Sequence, residues 1–204
     1  GTPTYQWFSN TTNSTTGGTP MAGATAASYN PPATAVGTLY YYCEITFSSG
    51  GCTSILSNTA QVVINQIPVV NNVTSIICSG EQYIFNSTNS NDVLPIGLQY
   101  SWNLISMTPA GTVSGSVNNG TLQNQFSQQL VNNSNGITTL VYEVTPIAGI
   151  CTGNSFTITI EVYPKPDVTF DIPNQTICNE TNTSLVTLNS SLPGNITYNW
   201  TATI

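Results

Sequence analysis

From Phe156 to Tyr163 the chain alternates. Phe156, Ile158, Ile160 and Val162 are apolar, and Thr157, Thr159, Glu161 and Tyr163 stand between them. Successive side chains of a strand point to opposite faces, so this period of two predicts a strand with one face on a core. Leu140, Tyr142 and Val144 alternate in the same way with Val141, Glu143 and Thr145. The runs Gln99 to Ile105 and Glu81 to Ser87 are also strand-like. Asn119-Gly120 and Asn135-Gly136 are hairpin dipeptides, because both residue types tolerate positive φ. No stretch holds a helical period. Short strands separated by turn signals predict an all-β chain of sandwich type.

The pattern repeats. Thr4-Tyr5-Gln6-Trp7, Gln99-Tyr100-Ser101-Trp102 and Thr197-Tyr198-Asn199-Trp200 resemble one another, with the tryptophans 95 and 98 positions apart. Ile77-Cys78-Ser79 returns as Ile177-Cys178-Asn179, and Gly51-Cys52-Thr53 as Ile150-Cys151-Thr152. Three markers sharing a period of about 97 residues define an internal repeat. Pro68 and the pair Pro164 and Pro166 each follow a final strand. Proline cannot donate to a ladder, so it ends the strand and stiffens the joint. The expected division is 1–66, a repeat lacking its first part; 67–163, a complete repeat; and 164–204, the start of another. Joints this short predict tandem β-sandwich repeats in a semi-rigid row.

Composition narrows the chemistry. Of 204 residues 39% are hydrophobic and only 4% charged, and the polarity comes from Thr, Ser, Asn and Gln. Lys165 is the one cation against eight carboxylates, for a net charge of −7. One lysine builds no basic patch, so neither nucleic acid nor an anionic membrane surface is an expected partner. No apolar run reaches the roughly 18 residues that a membrane-spanning helix needs. There is no His and no Arg. A Ser-His-Asp or Cys-His arrangement cannot be assembled, nor a bidentate arginine clamp on phosphate. Lys165 lies between two prolines, the wrong setting for a desolvated nucleophile. The expectation is a chain that is not an enzyme, with no catalytic residues, no cofactor and no metal.

The stretches Gly1-Thr2-Pro3-Thr4-Tyr5-Gln6-Trp7, Gly37-Thr38-Leu39-Tyr40-Tyr41-Tyr42-Cys43 and Ser57-Asn58-Thr59-Ala60-Gln61-Val62 resemble immunoglobulin-like repeats of giant surface proteins in gliding Bacteroidetes. The stretch from Ile77-Cys78-Ser79-Gly80-Glu81 to Val162-Tyr163-Pro164 resembles the PKD-like repeat of the same proteins. The resemblance implies tandem immunoglobulin-like (PKD-like) β-sandwiches in a gliding-motility adhesin of the SprB type. It further implies export by the type IX secretion system to an extracellular, cell-surface location.

Individual residues carry further expectations. Trp7, Trp102 and Trp200 share a strand face with the tyrosine two positions before each, and their recurrence assigns them to the cores between sheets. Tyr41, Cys43 and Ile45 fall on one face of a strand, and Tyr40, Tyr42 and Glu44 on the other. Tyr40 and Tyr42 are therefore candidates for an exposed contact. Twelve Asn-x-Ser/Thr sequons follow from a composition rich in those residues rather than from glycosylation. Asp167 and Asp171 in one strand would lie about 13 Å apart, too far for a glycosidase pair. With Asp92 and backbone carbonyls they are the nearest approach to a calcium site at a joint.

Five cysteines in such a chain indicate an oxidising compartment. A Cys78–Cys151 disulfide is expected to enclose most of the central repeat, worth about 4 kcal/mol in the chain-entropy model. Cys43 and Cys52 either bridge locally or Cys52 pairs with a cysteine upstream. Cys178 takes the place of Cys78 in the next repeat, so its partner belongs about 73 positions further on, the spacing of Cys78 and Cys151. Two functions remain. One is a stalk or filament segment of a surface adhesin, whose partners are adjacent repeats, with surface glycans, other surface proteins and the secretion machinery as further candidates. The other is an accessory glycan-binding module of a secreted polysaccharide-degrading enzyme.

Overall fold

The computed structural model describes residues 2–48, 54–192, 197, 199 and 201. It divides into two compact units, Gly1–Gln66 and Ile67–Ile204. Every regular element among the described residues is a strand.

The first unit is a sheet of β1 (Pro3–Asn10), β2 (Thr19–Pro20), β3 (Gly37–Phe47), β4 (Ile55–Leu56) and β5 (Ala60–Ile64). β3 is central. It pairs antiparallel with β1 on one side, Trp7 opposite Cys43, and with β4 and β5 on the other. The face carrying Trp7, Tyr41 and Cys43 is roofed by the segment after β2. Within that roof Ala24 is buried, and Tyr29 lies 5.9 Å from the ring of Trp7 and 6.1 Å from that of Tyr41.

In the second unit, six strands form the main sheet. They are β6 (Val73–Cys78), β8 (Leu98–Thr108), β10 (Asn119–Gln123), β13 (Thr138–Ala148), β14 (Cys151–Thr152) and β15 (Phe156–Tyr163). Their order is β10-β8-β13-β15-β6, with β14 continuing beside β13. All pairs are antiparallel except β6, which lies parallel to β15. Two short pairs lie outside this sheet: β7 (Gln82–Ile84) with β11 (Ser127–Gln129), and β9 (Val113–Ser114) with β12 (Val131–Asn132). They supply the second layer of a sandwich. Leu140, Tyr142, Val144, Ile158, Ile160 and Val162, the alternating apolar positions of β13 and β15, are fully buried. They pack in one cluster with Tyr83, Phe85, Phe126 and Leu130. At roughly 1.5–3 kcal/mol for each large apolar side chain removed from water, this cluster is what closes the two layers on each other. The result is an all-β immunoglobulin-like sandwich.

Two irregularities shape the main sheet. Val141 faces Ser106 and Tyr142 faces Leu104, so Ile105 is the extra residue of a β-bulge and is exposed. Pro146 sits within β13 without breaking it. Its carbonyl accepts from Gly153 N, and its missing N–H falls between the stretches of β13 that pair with β15 and β14.

After β15, still within the second unit, two local features of the preceding stretch recur. β16 (Val168–Phe170) pairs antiparallel with β17 (Leu188–Ser190), as Val69 bridges Val93 in the preceding stretch. The Ile-Cys turn is also repeated. Glu81 N donates to Cys78 O at 3.1 Å, and Thr181 N to Cys178 O at 3.2 Å. The third turn residue has positive φ in both, 90° at Gly80 and 67° at Glu180. Glycine takes that conformation without strain, and glutamate does not.

Candidate functional site

The tryptophans anchor the two units in the same way. Trp102 is 5% exposed, its ring is 4.9 Å from Phe126, and Phe126 is 5.0 Å from Tyr142. Trp7, Tyr29 and Tyr41 form the corresponding triad. Each indole N–H donates to a backbone carbonyl of the following segment: Trp7 to Ala26 at 3.0 Å and Trp102 to Val117 at 2.9 Å. The middle ring of each triad, Tyr29 or Phe126, comes from a stretch with no alternating pattern, which hides it from a reading of periodicity. Trp7 differs from Trp102 in being only half-buried. Trp200 lies outside the described residues.

Tyr42 is not an exposed contact. It is 4% exposed, and its ring stacks on Phe8, its cross-strand neighbour, at 5.1 Å and 5°. The backbone at Gly18 crosses so close that a Cβ there would stand 2.6 Å from the Tyr42 hydroxyl. β3 is thus covered on both faces at this point, because the chain after β1 wraps it. Tyr40 is half-buried. Tyr41 is buried in the triad, and burial, then the neighbouring Tyr29, pushes its phenol above the usual range.

The expected Cys78–Cys151 pair is not brought together. Cys78 ends β6 opposite Tyr163, the last residue of β15. Cys151 lies on β14 opposite Ala148, beyond the other end of β15. The length of β15 alone separates them by about 23 Å at 3.3 Å per residue, against the roughly 7 Å between Cα atoms that a disulfide tolerates. The parallel placement of β6 is the cause, since it carries Cys78 away from the hairpin that holds Cys151. Cys78 and Cys178 are free and exposed, and Cys43 is free and buried. Burial is the main influence raising the Cys43 thiol pKa. Cys52, its candidate partner, lies outside the described residues.

The carboxylates serve the backbone. Asp92 Oδ1 accepts from Asn71 N at 3.0 Å and Asn71 Nδ2 at 2.6 Å, while Oδ2 accepts from the Ser87 hydroxyl. Burial opposes its ionisation most strongly of any single influence, but the hydrogen bonds from Ser87 and Asn71 together outweigh it and lower its pKa. Asp171 Oδ1 accepts from Ile172 N and Thr187 N, closing the β16–β17 pair. No group of three or more metal-ligating side chains occurs among the described residues.

Beside Trp102 the surface opens into a cleft of about 480 Å³, lined by Trp102, Val117, Asn118, Gln123, Gln125 and Gln128 among others. Its floor is knotted. The buried Gln128 accepts from Val117 N at 2.9 Å and donates back to Val117 O at 3.1 Å, the carbonyl that also holds the Trp102 indole. Asn118 Oδ1 accepts from Leu104 N at 2.6 Å. These amides tie the loop to the sheet, so the cleft is uncharged and only part of its polar rim is free. Buried Asn132 plays a similar part. Its amide donates to Val162 O at 2.7 Å and Gly136 O at 2.8 Å, and its oxygen accepts from Ser134. Neither Gln128 nor Asn132 stands out in a chain so rich in amides.

No curated protein matches the chain in sequence. Residues 75–166 match the family model described as a PKD-like domain. The matched stretch runs from within β6 through β15 and holds the tryptophan triad, the cleft and most of the sandwich core. The second unit therefore contains a PKD-like domain, an immunoglobulin-like module of the kind typically found outside the cell or on its surface.

Proposed function

We propose that these repeats are a structural segment, a piece of stalk or filament, of a large secreted cell-surface adhesin acting in gliding motility and surface attachment. They hold other parts of the protein away from the cell and catalyse nothing. The observation that carries the reading is the burial of the second unit's aromatic triad in the sandwich core rather than on a surface platform. A module that stacks sugars needs flat rings open to water. Here Trp102, Phe126 and Tyr142 are at most 5% exposed. The near absence of charge supports the same reading, since it leaves no field to steer a charged ligand. Adjacent repeats of the same protein are the expected partners, and the type IX secretion system is the route implied by the resemblance to the gliding adhesins.

The cleft beside Trp102 favours a second reading, accessory glycan binding, because amides both donate to and accept from hydroxyl groups. A glycan array probed with the labelled protein separates the two. Background signal on all glycans is the expected result. A glycan bound by the wild type and lost in Gln125→Ala, with the melting temperature unchanged, would replace the stalk reading with the second one.

A further inference from the structure

The second unit holds two Asn-Gly dipeptides, and the structure treats them differently. Asn119 and Gly120 belong to β10, at the edge of the main sheet. Asn119 Oδ1 accepts from Thr121 N at 3.0 Å and from Thr121 Oγ1 at 2.6 Å, so its side chain is clasped. Asn135 and Gly136 lie in the exposed turn between β12 and β13. The Asn135 side chain makes no hydrogen bond among the described residues. Gly136 N reaches Ser134 Oγ at 3.4 Å, beyond the usual N–H···O range. Neither glycine has a positive φ, so neither dipeptide forms the primed hairpin turn that its sequence predicts. A Cβ built at Gly136 would meet nothing within 4 Å. The folded turn does not require glycine at 136. The missing side chain leaves an unshielded backbone nitrogen beside an unheld amide.

This turn borders a buried polar knot. Asn132 Nδ2 donates to Gly136 O at 2.8 Å and to Val162 O at 2.7 Å, and Asn132 N donates to Ser79 Oγ at 2.9 Å. One residue thus ties the turn, the end of β15 and the turn after β6 together. Groups of this kind are costly to leave unpaired where water is excluded. Gly136 O is the point at which the exposed turn is fastened to the knot.

We propose that Asn135 is a site of spontaneous deamidation, and that its isoaspartyl product unfastens the turn from Asn132. Gly136 N attacks the side-chain Cγ of Asn135. The new N–C bond closes a succinimide ring, and the amide nitrogen leaves as ammonia with the proton that Gly136 N gives up. Water then adds to one ring carbonyl and breaks its bond to the nitrogen. Opening at the side-chain carbonyl gives aspartate. Opening at the main-chain carbonyl gives isoaspartate, in which the backbone runs through the former side chain and is longer by one carbon. The net reaction consumes a water, releases ammonia and puts a carboxylate where a neutral amide stood. Attack requires the Asn135 side chain to swing onto the next nitrogen, a rotation that an exposed turn permits. At Asn119 the same rotation has to break both bonds to Thr121 and bend a paired strand. The lengthened backbone carries Gly136 O away from Asn132 Nδ2 and frees the turn from the end of β15. This goes beyond the stalk reading and is independent of it, since it concerns the ageing of one turn and involves no ligand.

Incubation of the full chain at neutral pH over weeks tests the proposal. Peptic mapping by mass spectrometry follows each asparagine, and labelling with an isoaspartyl methyltransferase identifies isoaspartate. Hydrogen exchange follows β12, β13 and the end of β15. The expected result is the mass gain of amide-to-acid conversion at Asn135, several-fold faster than at Asn119 and mostly as isoaspartate. Exchange in the turn and in the strands it joins should quicken in step with conversion. Gly136→Ala, which the backbone angle and the open space allow, should keep Asn135 intact over the same period by hindering the attack. Asn135→Gln is the second variant, because its longer side chain would have to close a larger ring, and position 135 should again stay unconverted. An Asn135 that stays intact in the wild type, or that converts no faster than Asn119, overturns the proposal. So does conversion that neither variant slows, or aged wild type whose exchange matches that of Gly136→Ala aged beside it.

Discussion

Replacing Trp102 with alanine removes a buried indole from the core of the central sandwich. The indole is 5% exposed, packs 4.9 Å from Phe126 and donates to Val117 O at 2.9 Å. Truncating a core tryptophan costs about 3–5 kcal/mol. The lost hydrogen bond adds little, because Gln128 Nε2 still reaches Val117 O at 3.1 Å and the carbonyl is not orphaned. A domain of about 100 residues loses roughly 4–8 °C of melting temperature per kcal/mol. The variant should therefore melt about 12–40 °C lower, since about 3–5 kcal/mol is a large share of the roughly 5–15 kcal/mol that holds a domain together. Trp7→Ala is the internal control, because Trp7 makes the corresponding hydrogen bond but is only half-buried. Its effect should be smaller and confined to the first unit. Thermal melts followed by near-ultraviolet circular dichroism, with hydrogen exchange to assign each transition to a unit, read both. A fall under about 5 °C for the second unit, or a larger loss from Trp7→Ala than from Trp102→Ala, would refute the assignment of Trp102 as the core anchor.

The Tyr142 hydroxyl is buried with no hydrogen-bond partner, so Tyr142→Phe should raise stability by about 1 kcal/mol in denaturant unfolding; a fall of that size would mean that water or a partner satisfies the hydroxyl. The Asp92 carboxyl has its folded pKa lowered, so the stability it contributes is present above its unfolded value of about 3.9 and is lost as pH falls through the lower folded value. The Asn71 backbone amide should report this in an NMR titration with a midpoint below 3.9, and a midpoint above it would remove Asp92 as the clamp on that loop. Cys78 should react with iodoacetamide in the native protein without reductant; protection that disappears on adding dithiothreitol would restore a disulfide at this position and contradict the parallel pairing of β6.

Much of the PKD-like fold is legible in one dimension. Alternation at Phe156–Tyr163 and Leu140–Thr145 marks β15 and most of β13, and it marks which side of each faces inward, because side-chain direction in a strand depends only on parity. Recurrence of the Tyr-x-Trp and Ile-Cys segments places equivalent residues at equivalent sites, since a repeated sequence meets the same local physics each time. The core position of Trp102 follows from those two facts alone. What parity cannot determine is which strand lies beside which, and in which direction. The parallel seat of β6 on β15 is settled by closure of the whole sandwich, and it sends Cys78 to the end of the sheet away from Cys151. Likewise, alternation puts Tyr42 on the face opposite Tyr41 but does not say what crosses above it, and the wrap of the chain past Gly18 buries it. The middle rings Tyr29 and Phe126, and the buried amides Gln128 and Asn132, come from irregular segments. Their roles arise from contacts distant in sequence, where no period exists to announce them, so the tertiary structure alone decides them.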